Sequence, residues 1–392
     1  MVLTLLLLAP SATFAGSTFE VSGWIPYWRT ATGTLDVSPH LSELTEVNPF
    51  VYSVSATGDI IDNGHMSTST WTTFVANAQA QKVRVVPTIM WSNASAIHSI
   101  LSSSKSRLAL ERAIVALVKT NGYDGIDIDF ENKQAKDKNV FSLFLKGLYQ
   151  RIGNSIVTCD IEPRAPDSSR FYGVTPPADA DMFANDYVQI NKYCDRVHIM
   201  AYDQQGTDLE LAATAASSSQ LYAPVGDTAW VEKVVKLAKK TINPRKIIIG
   251  VPTYGYEYDV TAYANNQYFY DILWTFNPLY AVQTAAQYGL TPTRNSAGEL
   301  SFSYTPNPVL STTTPVSALG PEAANVAATS AALYATTYNS HLSFRYIDWP
   351  DAQSLQAKID LAKRLGVRGV AIFKLDGGED PNIWATLQGV KK

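Results

Sequence analysis

The sequence predicts an α/β protein, a (β/α)8 TIM barrel with a small α+β insertion between the seventh strand and the eighth. Short β-branched or apolar runs alternate with amphipathic helical stretches, the pattern of a parallel sheet built from βα units. Eight such runs can be counted, which favours a closed barrel over an open doubly wound sheet. Several are almost continuously hydrophobic, as in Ile247-Ile248-Ile249-Gly250, and this is expected of strands covered on both faces. A chain of 392 residues, 46% hydrophobic and 11% aromatic, can bury a large core and is not disordered.

The eight strands are read at Phe19–Tyr27, Val47–Val54, Val83–Met90, Gly125–Phe130, Ser155–Ile161, Arg196–Ala201, Lys246–Val251 and Gly369–Phe373. Helices with a clear apolar stripe fall at Arg107–Lys119, Asn139–Arg151, Trp230–Ile242 and Ala352–Leu365. Pro244 and Gly366 stand where the last two should stop. From Glu257 to Phe344 the βα rhythm disappears. In its place come aromatic-rich pieces, a helical stretch near Ala281–Tyr288, a hairpin-like Arg294–Tyr304 and a Ser/Thr/Ala/Pro-rich passage from Thr305 to about Ser330. The barrel is therefore assigned to 16–256 and 345–392, and the insertion, a wall of the active-site cleft, to 257–344.

The apolar run Val2–Ala9, followed by small residues up to Ala15, reads as a signal peptide over residues 1–15, although no basic residue precedes it. The alternative is a buried N-terminal strand. The expected location is secreted or envelope-associated. The run is too short to span a bilayer, and no later segment is long and apolar enough to be a transmembrane helix. Lys+Arg is 31 against Asp+Glu 35, a net charge of −4, which gives no footprint for nucleic acid or an anionic membrane. No glycine-rich phosphate loop follows a strand, which argues against dinucleotide or P-loop chemistry. Cys159 and Cys194 lack any metal-ligand spacing. They are expected near opposite ends of the barrel, too far apart to pair, and so both free. A monomer satisfies everything read so far.

The chemistry is concentrated in Tyr123-Asp124-Gly125-Ile126-Asp127-Ile128-Asp129-Phe130-Glu131-Asn132. Strand side chains alternate faces, so Asp127, Asp129 and Glu131 share the inner face, stepping toward the C-terminal mouth by roughly 6 to 7 Å per pair of residues. Like charges so close cannot all stay ionised; a proton is shared and one pKa rises. That suits a general acid at the open end of the strand. The rival readings are a solvated acidic face and a hard-cation site for Mg²⁺ or Ca²⁺. No metal and no cofactor is expected.

Asp124-x-x-Asp127-x-Asp129-x-Glu131 resembles the DxxDxDxE signature of glycoside hydrolase family 18, the chitinase-like enzymes. His198-Ile199-Met200-Ala201-Tyr202-Asp203 resembles the family's MxYD element, and Gly250-Val251-Pro252-Thr253-Tyr254-Gly255 its seventh strand. Gly23-Trp24-Ile25-Pro26-Tyr27-Trp28 and Asn48-Pro49-Phe50-Val51-Tyr52-Ser53 look most like the bacterial spore-cortex-lytic N-acetylglucosaminidase branch. The resemblance implies a retaining, substrate-assisted hydrolase of β-1,4-linked N-acetylglucosamine polymers, chitin or peptidoglycan glycan, with an inactive carbohydrate-binding relative as the alternative. It implies Glu131 as acid and base, Asp129 orienting the substrate acetamide, Asp127 sharing a proton with Asp129, Tyr202 holding the acetamide oxygen and Asp203 supporting the sugar. His198 is read as a core histidine.

Aromatic platforms for sugar faces are expected among Tyr27, Trp28, Tyr52, Trp91, Tyr254, Tyr256, Trp349 and Phe373, with Tyr27, Trp91 and Tyr254 foremost. Two departures from the family stand out. The third strand lacks SxGG, and Phe373 occupies the position of the tryptophan that forms the floor of the site in chitinases.

Overall fold

The computed structural model describes residues 19–264, 267–306 and 324–391; the expected signal peptide and most of the Thr305–Ser330 passage lie outside them. Eight parallel strands close on themselves: β1 (Glu20–Pro26), β2 (Glu46–Val54), β3 (Thr88–Trp91), β4 (Gly125–Phe130), β5 (Ile156–Ile161), β6 (Arg196–Ile199), β7 (Ile247–Pro252) and β8 (Gly369–Phe373). Consecutive strands are neighbours, and β8 and β2 flank β1 on its two sides. The third run is broken in two, Arg84–Val85 and Thr88–Trp91, at Pro87, which has no N–H to give the ladder.

The strands' outward side chains carry the main apolar core. Ile126, Ile128 and Phe130 pack there with Phe141, Phe144 and Leu148 of the helix Lys138–Ile152. That helix and its counterparts Ser104–Asn121, Thr228–Ala238 and Ala352–Leu365 cover the barrel. Gly122 and Gly366 end the second and the last of these four in the left-handed conformation that glycine adopts without a Cβ penalty.

The barrel interior is polar at its base. Arg196 of β6 donates to Glu20 of β1 through Nε (2.7 Å) and Nη2 (3.0 Å), and Arg84 bridges Glu20 and Glu46. The three arginines around Glu20 outweigh the cost of its burial and hold its carboxyl down at about 2.

Between β7 and β8 the chain builds an antiparallel sheet in the order Gln267–Phe276, Gly255–Tyr263, His341–Trp349, Leu300–Tyr304, Thr293–Arg294. The helices Pro278–Gln287 and Val326–Tyr338 accompany it.

The cysteine expectation fails. Cys159 and Cys194 form a disulfide, with Cα atoms 6.0 Å apart and both residues fully buried. Cys159 faces outward from β5. The short helix Tyr187–Tyr193 lies over that strand and ends on Cys194, so the two meet on the barrel's outer surface. Reading Cys194 as a straight extension of β6 placed it too far down.

Candidate active site

Asp127, Asp129 and Glu131 do share the inner side of β4. Asp127 is fully buried, Asp129 nearly so, and Glu131 is half-buried just past the strand's end. Asp127 Oδ2 accepts from Trp24 Nε1 of β1 (2.9 Å) and Thr88 Oγ1 of the adjacent β3 (2.7 Å), so two other strands fix that carboxyl. Its Oδ1, and Oδ1 of Asp129, have no hydrogen-bond partner. Burial first, then Glu131 and Asp127, drives Asp129 well above the usual carboxylate range. Burial and the Glu162 carboxylate raise Glu131, with Lys133 pulling the other way. Lys133 Nζ lies 3.4 Å from Glu162 Oε1.

Glu131 opens on a cavity of about 280 Å³ lined also by Asp129, Glu162, Met200, Tyr202 and Phe373. Tyr202 is buried, its ring stacked on Phe373 at 5.6 Å. Glycine at 250 makes this possible, since a Cβ there would come within 2.9 Å of the Tyr202 ring. Asp203 and Phe373 also border a second hollow of about 510 Å³, lined by Trp28, Arg29, Tyr254, Asn277 and Lys374 among others. Tyr254 and Tyr256 donate their hydroxyls to Asp203 Oδ1, the latter at 2.6 Å. Asn132 and Asp203 both hold left-handed backbone, φ 55° and 58°, which Asn and Asp adopt more readily than other non-glycine residues.

Four expected platforms are elsewhere. Trp91 follows the parity of Ile89, not of Thr88 and Met90, and points out of the barrel against Phe130, ring centroids 5.2 Å apart. Tyr52 should face inward with Phe50, but a register shift between them turns it outward, where its hydroxyl meets that of Tyr123 at 2.9 Å. Tyr27 opens a single 3-10 turn and is 37% exposed, lining neither cavity, whereas Trp28 beside it lines the larger one. Trp349 is buried in the core of the antiparallel sheet. Tyr254, Asp203 and Phe373 line the larger cavity.

The sequence reading missed Trp24, Thr88, Asp160 and Glu162, and set His198 aside. The alternation that placed the β4 acids would have found them. Trp24 shares parity with Glu20, and Asp160 and Glu162 share it with the inward Thr158.

The chain is 26% identical over 161 residues to the uncharacterized glycosylase YvbX of Bacillus subtilis, covering 41% of this chain and 42% of that protein. It is 30% identical over 155 residues to the di-N-acetylchitobiase of Rattus norvegicus, covering 37% and 36% respectively. It thus spans less than half the length of either relative. The spore cortex-lytic enzyme SleL of Bacillus megaterium superposes with a TM-score of 0.67 at 19% identity, over 98% of this chain and 76% of that one, a likeness of fold. The sequence profile of glycosyl hydrolases family 18 matches residues 24–378, and the chain belongs to that family.

Proposed function

We propose that the protein is a retaining, substrate-assisted glycoside hydrolase acting on β-1,4-linked N-acetylglucosamine polymers. The observation that carries this reading is a carboxyl, Glu131, raised in pKa at the mouth of a cavity, above two buried acids of the same strand. In the first step the carbonyl oxygen of the substrate's 2-acetamido group bonds to the anomeric carbon. The bond from that carbon to the leaving oxygen breaks, and Glu131 gives that oxygen its proton. Asp129 accepts a hydrogen bond from the acetamido N–H and offsets the positive charge of the oxazolinium ring. The Tyr202 hydroxyl orients the acetamido oxygen. In the second step water attacks the anomeric carbon, Glu131 takes its proton, and the acetamide is restored with configuration retained. A fixed carboxylate beside a developing cation, away from bulk water, is the largest electrostatic contribution in such a scheme.

The names of similar proteins, a chitobiase and a spore cortex-lytic enzyme, support chitin fragments and peptidoglycan glycan as the substrate class. A buried disulfide suits an oxidising compartment and supports action outside the cytoplasm. The test is turnover of a fluorogenic chitooligosaccharide by the wild type and by Glu131→Gln. The variant should keep its melting temperature and lose about 10³-fold in kcat. Binding without turnover by the wild type would instead identify an inactive carbohydrate-binding protein.

A further inference from the structure

Beside the acids of β4 lies a second group that the proposed reaction has not used, and its Asp160 reaches the floor of the cavity that Glu131 opens on. Asp160 of β5 and His198 of β6 are cross-strand partners, both turned inward and both buried. His198 Nδ1 is 2.9 Å from Asp160 Oδ1 and 3.7 Å from Asp127 Oδ1. His198 Nε2 has no partner at all, and the imidazole lies edge-on to Trp24, ring centroids 4.9 Å apart. An orphaned buried N–H is rarer than an orphaned acceptor. The economical arrangement therefore keeps hydrogen on Nδ1, donated to Asp160, and leaves the bare lone pair on Nε2.

We propose that Asp160 and His198 are positioning residues: a proton-sharing pair that, through Asp127, sets how readily Asp129 ionises to serve the substrate acetamide. The proposal rests on the hydrolase reading given above. Burial pushes Asp127 and Asp160 upward and His198 downward, each toward its neutral form, so protons must be divided among these groups, of which Asp160 alone borders the cavity. The groups acting on the pair are Asp127, Asp129, Glu131 and Lys133 from β4 and its following loop, Arg196 from β6, Glu46 from β2 and Glu20 from β1. Removing the imidazole removes the nitrogen base in direct contact with Asp160 and makes Asp129 harder to ionise. Removing the Asp160 carboxyl removes an acid that competes with Asp129 for ionisation and makes it easier.

The experiment is the pH profile of kcat/KM for wild type, His198→Asn and Asp160→Asn on the fluorogenic chitooligosaccharide. The acidic limb should move up by about one pH unit in His198→Asn and down by about one in Asp160→Asn. A merely structural role would lower activity or melting temperature in both and leave the limb in place, which would overturn the proposal. A second readout does not need turnover: nitrogen-15 spectra of labelled histidine, with His198 assigned by its loss in His198→Asn. The expected result is an Nδ1–H tautomer in the wild type that is changed in Asp160→Asn. An Nε2–H tautomer, or one indifferent to Asp160, would overturn the pair even if the protein hydrolyses nothing. Absence of wild-type turnover with the expected tautomer present would count against the hydrolase reading instead.

Discussion

Opening the Cys159–Cys194 bridge should cost stability that can be worked out from the chain it closes. The two cysteines are 35 residues apart. Loop-closure entropy for that length amounts to about 4 kcal/mol at 25 °C. For a chain of this size the unfolding entropy is on the order of 0.8 kcal/mol/K, so the melting temperature should fall by about 5 °C. The perturbation is Cys159→Ala with Cys194→Ala, or a reductant strong enough to reach a buried bond. The assay is differential scanning calorimetry, paired with a thiol count on unreduced protein in denaturant. The bridge ties β5, which carries Asp160 and leads to Glu162, to the segment leading into β6, which carries His198 and leads to Met200 and Tyr202. Below its melting temperature the variant should therefore keep its fold and lose some of the alignment between those strands, seen as a lower kcat. Two free thiols in the unreduced protein, or an unchanged melting temperature, would refute the reasoning.

Further outcomes follow from the placement of single side chains. Trp91→Ala should cost about 3 to 5 kcal/mol in urea unfolding and leave KM for chitooligosaccharides unchanged, because the ring packs on Phe130 outside the barrel; a large rise in KM with normal stability would put it back in the cleft. Glu162→Gln removes a like charge that raises Glu131. The acid must be protonated to work, so the alkaline limb of kcat/KM should move to lower pH, by about half a unit; an upward shift would contradict this. Glu20 is held at about 2 against an ordinary 4.5. Its contribution, on the order of 3 kcal/mol, is present above pH 4.5 and lost as pH falls through about 2. In Glu20→Gln the loss of stability between pH 7 and pH 3, followed by urea titration, should shrink.

Much of the fold was legible because barrel strands obey a simple rule. A run covered on both faces is apolar outward, and whatever breaks that pattern points inward. Gly125–Phe130 and Gly369–Phe373 were read to the residue for this reason. The rule fails where the ladder slips. The register shift after Phe50 turns Tyr52 to the other face, and no composition marks it. Trp91 differs: its place near a strand end suggests a platform, while its parity with Ile89 turns it outward. The disulfide was out of reach because it depends on a short helix, Tyr187–Tyr193, bringing Cys194 back over β5, and a helix of that length has too few turns to show a period. Asp160 and Thr88 were legible but lacked a motif to draw attention to them.

The salt-bridged arginines and carboxylates at the foot of the barrel, with the acids and histidine above them, divide the molecule's tasks by layer. Most cohesion comes from the oily shell between strands and helices, and the lumen adds to it chiefly through the ion pairs at its foot. Side chains lining the lumen can then be exchanged for new chemistry while the shell keeps the strands in register, provided each exchange leaves the lumen's charges matched. A cylinder organised in this way lets selection rewrite its reactive centre without first having to rebuild its frame.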